Sequence, residues 1–163
     1  MRRSAIVIVV LLAVAAVQIA YYYSQLPNTI ASHFNGAGVP NAWQPKQLFF
    51  ALYAFVLLLS ACLYLFLPRA VVTMPPELVN LPNKAYWLAP EHRAETADFL
   101  IDHFARFGAA TLALVIAVFQ LAITANLPGA QPTLPPAIWG FLIAYLGFAV
   151  IWLIMLFAKF KRA

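Results

Sequence analysis

Charged residues are scarce in this chain. They make up 9% of its 163 residues, against roughly 25% in an ordinary soluble domain, and 64% of the residues are hydrophobic. A soluble domain of this size would still expose about a third of its surface to water, so most of this chain must have the lipid bilayer as its solvent. The net charge of +5 is not accompanied by a basic run with interleaved aromatics, and it does not indicate nucleic-acid binding.

Cysteine is almost absent as well. The single Cys62 lies inside an apolar run, which excludes a disulfide within the chain. We expect it to be a small buried hydrophobe, as free cysteines usually are. No metal-binding motif includes it, and we expect neither a metal nor a cofactor.

Four uncharged apolar runs are long enough to cross a bilayer, which takes about 20 residues as a helix. They lie at about 5–23, 47–67, 107–126 and 137–158, and Pro68-Arg69 is expected to end the second. The first run could be a secretory signal cleaved after Ala13-Val14-Ala15, but its apolar character continues beyond that point, and we favour an uncleaved span. The prediction is a single all-α membrane domain over residues 1–163.

These four spans contain no Asp, Glu, Lys, Arg or His, and such residues within a membrane usually mark ion paths and proton relays. Their absence argues against a pump, a proton-coupled transporter or an intramembrane protease. The remaining polar side chains are expected to bond between helices; they are Gln18, Ser60, Thr111, Gln120 and Thr124. Gly140 and Gly147, seven residues apart, are expected to permit close helix packing.

All five acidic residues lie in the loop 68–106. Residues 91–107 are predicted to form an amphipathic helix, which docks on the end of the bundle or on a partner. Its apolar face would comprise Ala97, Leu100, Ile101, Phe104 and Phe107, and its polar face Glu91, Glu95, Asp98 and Asp102. His92 and His103 are about 16 Å apart along such a helix and cannot share one ion.

The basic residues predict the orientation. With four spans, one side carries the termini and loop 68–106, and nine of the ten lysines and arginines lie on that side. Lys46 is the exception. Because cytoplasmic segments carry an excess of Lys and Arg, both termini and the amphipathic helix should be cytoplasmic. The segment 24–46 should then face outward.

Residues 26–46, LPNTIASHFNGAGVPNAWQPK, hold the densest group of unusual polar residues, and their glycines and prolines predict an ordered loop. A lone histidine is a poor metal site, and Ser32 beside His33 has no third orienting group, so we expect no catalysis. Two readings stay open: His33 and Asn35 satisfy backbone groups of the loop, or the loop binds an external peptide. The candidate binding residues are His33, Phe34, Asn35, Gly38, Trp43 and Lys46.

This stretch, written LPxxIxxHFNxxGxPxxWxxK, resembles a bacterial membrane domain of unknown function that also forms the first part of SdpI-type immunity proteins. Asn83-Lys84, Tyr86-Trp87-Leu88 and Pro90 resemble a second stretch of the short members. The resemblance implies a small multi-pass protein of the bacterial inner membrane. The SdpI-type proteins carry a second membrane domain after this one, whereas four spans are predicted here.

The expected function is therefore a non-enzymatic one. The favoured reading is an outward-facing recognition loop, related to toxin immunity or signalling, with an external peptide or a membrane protein as partner in addition to the bilayer. An accessory subunit of a larger membrane complex is the alternative, and a small transporter or channel is a weaker one. A cytoplasmic contact surface is expected at Asn83, Lys84, Tyr86 and Trp87.

Overall fold

A computed structural model describes residues 3–161, without the side chain of Arg3. It is mostly helical, and four of its helices are long and apolar enough to cross a membrane. In chain order, the elements are α1 (Arg3–Tyr22), β1 (Thr29–Phe34), β2 (Pro40–Pro45), α2 (Lys46–Thr73), a 3-10 turn (Pro76–Leu78), α3 (Lys84–Trp87), α4 (Pro90–Ala125) and α5 (Ala137–Lys161). Arg2 and Arg162, which enter the orientation argument, lie outside the described residues.

Helix α4 is the centre of the bundle, and α1, α2 and α5 each pack against it. The largest fully buried side chain is Tyr53 of α2, whose ring stacks on Phe119 of α4 with 4.1 Å between the ring centroids. Ile8 of α1 and Leu112 of α4 belong to the same core. Most of the remaining large apolar side chains face outward, as expected of helices that are apolar enough to span a membrane.

A polar network joins three of the helices beside this core, as the sequence predicted for Gln18 and Gln120. The Gln18 Nε2 donates to Gln120 Oε1 at 2.6 Å, and the Tyr53 hydroxyl donates to Gln18 Oε1 at 2.5 Å. The Gln120 Nε2 in turn donates to the Tyr22 hydroxyl at 3.1 Å. Each amide is therefore satisfied without water, which fixes the register of α1 and α2 on α4.

Two helices are longer than the sequence indicated. The expected separate amphipathic helix at 91–107 and the third span at 107–126 form one continuous helix, α4, because no proline interrupts it and Gly108 is tolerated where α2 packs closely. Helix α2 continues past Pro68 to Thr73. A proline removes one helical hydrogen bond, but the Pro68 ring is fully buried in the bundle, and its burial offsets part of that loss.

Two smaller expectations are wrong. Cys62 is exposed on α2, on a surface that lipid would cover. Gly140 and Gly147 have open space around them, so in this structure they do not mediate close packing. Both expectations rest on local composition, which does not reveal which face of a uniformly apolar helix is covered by protein.

Candidate functional site

The stretch predicted as a loop folds into a β-hairpin. Strands β1 and β2 pair antiparallel, with Ala31 opposite Trp43 and His33 opposite Ala42. The pairing register shifts by one residue on each strand, and on β1 the extra, bulged residue is Ser32. The two shifts compensate each other before the turn. Bulges break the simple alternation of apolar and polar residues that signals a strand, and this explains why the sequence pattern did not reveal the hairpin.

Asn35 and Gly38 build the turn of the hairpin. The Asn35 Oδ1 accepts hydrogen bonds from the backbone N–H groups of Ala37 and Val39, both at 3.0 Å. Gly38 has φ +77°, a left-handed conformation, and a Cβ there would lie 2.5 Å from the Leu134 carbonyl oxygen. Asparagine and glycine are therefore required by the backbone here, in agreement with the structural reading of Asn35.

Three polar contacts fasten the hairpin to the helices. The side-chain amide of Asn126, at the end of α4, bonds both backbone groups of Ala31: its Oδ1 accepts from the N–H at 2.7 Å, and its Nδ2 donates to the carbonyl at 2.9 Å. The Lys46 ammonium donates to the Leu26 carbonyl at 2.9 Å and lies 5.0 Å from the Tyr23 ring centre. The backbone N–H of Leu134 donates to the Gly38 carbonyl at 2.9 Å. The hairpin is thus held at the base, the middle and the tip.

The outer surface of the hairpin remains exposed. Trp43 keeps 58% of its surface accessible. His33 is also exposed, and its Nδ1 lies 2.5 Å from the Asn41 Oδ1, so its ring is positioned by the neighbouring strand. Since all five acids lie between residues 77 and 102, the hairpin end carries no negative side chain.

A groove of about 410 Å³ opens between the hairpin turn and the N-terminal end of α5. One wall is the turn, with Phe34, Asn35 and Gly38 among its residues; the other is the segment leading into α5. Trp139 is half exposed in this second wall. The apolar side chains that line the groove are Phe34, Leu134, Pro135, Pro136, Ile138, Trp139 and Leu142. Three of the six predicted binding residues therefore border one concave surface, while His33, Trp43 and Lys46 lie elsewhere on the hairpin.

The α5 wall of this groove was missed in the sequence. Leu134, Ile138 and Trp139 belong to a proline-rich turn and the start of an apolar span, and both features have ordinary structural explanations. Asn126 ends the third apolar run, where a polar residue is also ordinary. Nothing local to these residues indicates that they meet a segment about 95 positions earlier in the chain.

The second predicted stretch closes the opposite end of the bundle. Asn83, in a left-handed conformation with φ 50°, donates from Nδ2 to the carbonyls of Phe160 and Lys161 at 3.1 and 3.2 Å. The Trp87 Nε1 donates to the same Phe160 carbonyl at 3.2 Å. Free carbonyls at the end of a helix need such donors, so Asn83 and Trp87 cap α5. Their predicted role as a contact for a partner stays a prediction.

Lys84 and Tyr86 of that stretch are more accessible. The Lys84 ammonium lies 3.5 Å from the Glu77 carbonyl oxygen. Tyr86 stacks on the ring of His92, with 4.0 Å between the centroids. These two residues are the part of the predicted cytoplasmic contact surface that remains open to a partner.

Lys159 joins the charged parts of α4 and α5. Helix α4 is about 54 Å long, so its charged first part extends beyond a hydrocarbon core of about 30 Å. There the Lys159 ammonium donates to Glu95 at 2.5 Å and lies 4.5 Å from the Trp87 ring centre. This hydrogen bond, and then the charge of the ammonium, lower the pKa of the Glu95 carboxyl.

His103, which follows Asp102 in the sequence, is buried where α4 packs against α5. Its ring stacks between Phe99 and Trp152, at 4.9 and 4.6 Å between centroids. Its Nε2 lies 3.1 Å from the Trp152 carbonyl oxygen, and the Trp152 Nε1 donates to the His103 carbonyl at 3.0 Å. Within residues 3–161, no three residues of the histidine, cysteine or acidic types gather into a metal-binding group.

Residues 8–57 match the family model DUF1648, a domain of unknown function. The match covers less than a third of the chain, and it includes most of α1, the whole hairpin and the first turns of α2. It confirms the resemblance to an uncharacterised membrane domain; the link to SdpI-type immunity proteins stays a prediction. No curated protein and no solved structure matches the chain.

Proposed function

We propose that this chain is a non-enzymatic, multi-pass protein of a bacterial inner membrane that recognises an external peptide with its hairpin and the adjoining groove. The observation that carries the proposal is the groove of about 410 Å³ between the hairpin turn and α5. The hairpin is fixed by Asn126, Lys46 and Leu134, and a fixed surface loses little conformational entropy when a ligand binds.

The distribution of charge supports an outward-facing hairpin. One end of the bundle carries the basic residues Arg69, Lys84, Arg93, Arg106, Lys159 and Lys161, whereas Lys46 lies at the hairpin end. By the positive-inside rule, the end with the six basic residues would be the cytoplasmic one. A cysteine at Ser32, introduced together with Cys62→Ser, should react with a membrane-impermeant maleimide added to intact cells. Reaction only after the cells are opened would reverse the orientation.

The lining of the groove indicates what kind of peptide would bind. Aromatic and aliphatic side chains make up the α5 wall, Phe34 is the one large apolar side chain of the hairpin wall, and the hairpin end lacks carboxylates. An uncharged or acidic peptide that inserts one large apolar side chain fits this surface, since such anchors in pockets supply most of the binding energy in peptide complexes. Protection from a secreted peptide toxin is one biological use of such recognition, and the resemblance to immunity proteins favours it.

The test uses the full chain in lipid nanodiscs, against which a displayed library of peptides is selected. Trp139→Ala should weaken the selected peptides by about 30-fold, the usual loss for a central aromatic anchor of about 2 kcal/mol. Leu146→Ala is the matched control, because Leu146 lies on the same helix, faces outward and does not line the groove. Equal affinities for the two variants would place the binding site elsewhere and contradict the proposal.

A second candidate, an accessory subunit of a larger membrane complex, is favoured by a different surface. An open groove of about 490 Å³ runs between α1 and α4, and Gln18, Tyr22, Ala117 and Gln120 are among its lining residues. Small residues and amides at such a surface are typical of contacts between membrane helices. Purification in a mild detergent should then recover larger subunits in a fixed ratio, whereas a chain that runs alone would favour the recognition function.

A further inference from the structure

The two outer edges of the hairpin differ in how their backbone groups are satisfied. At the middle of β1, the Asn126 side chain bonds both backbone groups of Ala31, at 2.7 and 2.9 Å. On β2, Trp43 lies directly opposite Ala31 in the pairing register. The direction of the Trp43 backbone groups follows from this pair.

Opposite residues in an antiparallel pair alternate between two kinds. In one kind the two residues bond each other through both backbone groups, and in the other those groups point away from the partner strand. Ala31 is of the second kind, since its N–H and carbonyl are turned to Asn126, and Trp43 opposite it must be of the same kind. The N–H and carbonyl of Trp43 therefore point outward from the hairpin. Outside the β1–β2 ladder, no residue within 3–161 bonds either group.

The two prolines of β2 mark the same outer edge. Proline has no N–H, so a strand tolerates it where that group would face away from the ladder. Pro45 lies two residues after Trp43 and has the same outward orientation. Near the turn, the Asn35 N–H donates to the Val39 carbonyl at 2.9 Å, so the next position, Pro40, also faces outward. Between these two prolines, Trp43 keeps its donor.

The outer edge of β2 is accessible to a ligand. Trp43 is exposed, and so are Asn41, Ala42 and Pro45. The main neighbours of β2 are β1 and α2, which follows it directly. The strand has six residues and is about 20 Å long. It begins two residues after Gly38, which borders the groove, so a peptide paired along β2 ends beside the hairpin turn.

We propose that the outer edge of β2 binds the external peptide as a third, extended strand, through the N–H and carbonyl of Trp43 and the carbonyl of Pro45. This inference rests on the proposed function and adds the mode of binding. An extended backbone presents N–H and carbonyl groups at alternate residues along one edge, and these complement the three groups of β2. Because the prolines withhold donors at both ends, the edge suits one short segment and not a continuing sheet.

Two substitutions at Trp43 separate pairing of the backbone from contact with the indole ring. Trp43→Ala and Trp43→Pro both remove the indole, but only Trp43→Pro removes the N–H. The probe is the displayed peptide that is most enriched on the full wild-type chain in nanodiscs. It should bind Trp43→Pro about tenfold more weakly than Trp43→Ala, and equal affinities would overturn the proposal. Exchange of the Ala31 amide should be the same in both variants, because the lost N–H lies outside the ladder.

Methylated peptides decide the matter if Trp43→Pro unfolds the hairpin. Each backbone N–H of the same peptide is methylated in turn, and binding to the wild-type chain is measured. Because a paired strand uses the N–H groups of alternate residues, methylation should weaken binding about tenfold at alternate positions and little at the positions between them. Tolerance of methylation at every position would overturn the proposal.

The outcomes also separate this inference from the proposed function. If Trp139→Ala weakens the peptide while Trp43→Pro and Trp43→Ala bind it equally, the recognition function stands and strand pairing is refuted. If Trp43→Pro instead converts a dimer of the chain into a monomer without changing peptide affinity, the edge pairs with a second copy and the proposal is wrong. A selection that enriches no peptide contradicts both.

Discussion

Replacing Asn126 with alanine should loosen the middle of the hairpin from the helical bundle while leaving the helices folded. In the native chain, one side-chain amide satisfies both the N–H and the carbonyl of Ala31, at 2.7 and 2.9 Å. Ala31 is 1% exposed, so water cannot easily replace the lost partner. Asn126 thus acts towards β1 as a neighbouring strand would.

The structure sets the size of the effect. A buried backbone group that loses its partner costs about 1–3 kcal/mol, and Asn126→Ala leaves two such groups. Local relaxation and some entry of water reduce the sum, and we expect the hairpin to lose about 2–4 kcal/mol of local stability. Because 1.4 kcal/mol corresponds to a tenfold change in an equilibrium constant, the equilibrium constant for opening of the hairpin should rise at least about 30-fold.

Hydrogen exchange of the Ala31 amide in nanodiscs measures this directly, because exchange reports the free energy of local opening. Asn126→Asp gives a sharper comparison, since it retains an acceptor for the Ala31 N–H but turns a carboxylate oxygen towards the Ala31 carbonyl. The control is Asn41→Ala, which removes an exposed side-chain contact with His33 on the same hairpin and should have little effect. Unchanged exchange at Ala31 in Asn126→Ala would refute the reasoning.

Two further predictions concern the helices. Gly108→Ala should destabilise the bundle by about 1–3 kcal/mol, because its Cβ would lie 2.6 Å from the Tyr64 Cβ; Gly147→Ala, in open space, is the control for thermal unfolding in detergent. Glu95→Gln should lower the unfolding temperature at neutral pH, because it removes the ion pair with Lys159. Since the pKa of Glu95 is lowered in the folded chain, its contribution is present above the ordinary carboxyl pKa and is lost as the pH falls through the lowered value. The wild-type and Glu95→Gln curves should converge in acid, and a difference that persists there would contradict the assignment.

The four membrane helices were predictable because lipid imposes a simple requirement. A span must be about 20 residues of apolar helix, and the expected runs at 5–23, 47–67, 107–126 and 137–158 correspond to α1, α2, α4 and α5. The helix ends were less predictable. Pro68 lies within α2 with its ring buried, and the helix at 91–107 merges with the span that follows because no proline interrupts it.

The hairpin shows where the sequence pattern fails. Its strands are six residues long, each slips in register, and β2 both begins and ends with proline. Prolines and bulges are the features that make a short segment look like a loop. Strand β1 is stabilised instead by hydrogen bonds to the Asn126 side-chain amide. Asn126 and β1 are far apart in the sequence, so no local pattern reveals this contact.

The residues that stand out in the sequence mostly determine backbone geometry. Asn35 holds the turn, Asn83 and Trp87 hold the end of α5, and Gly38 is needed where the Leu134 carbonyl approaches. The groove arises because these residues fix the hairpin turn at a set distance from α5. A ligand surface can therefore be formed largely by side chains such as Trp139, whose type carries no functional signal. For this reason a change at Asn35 should affect folding of the turn and ligand binding together, whereas a change at Trp139 should affect binding alone.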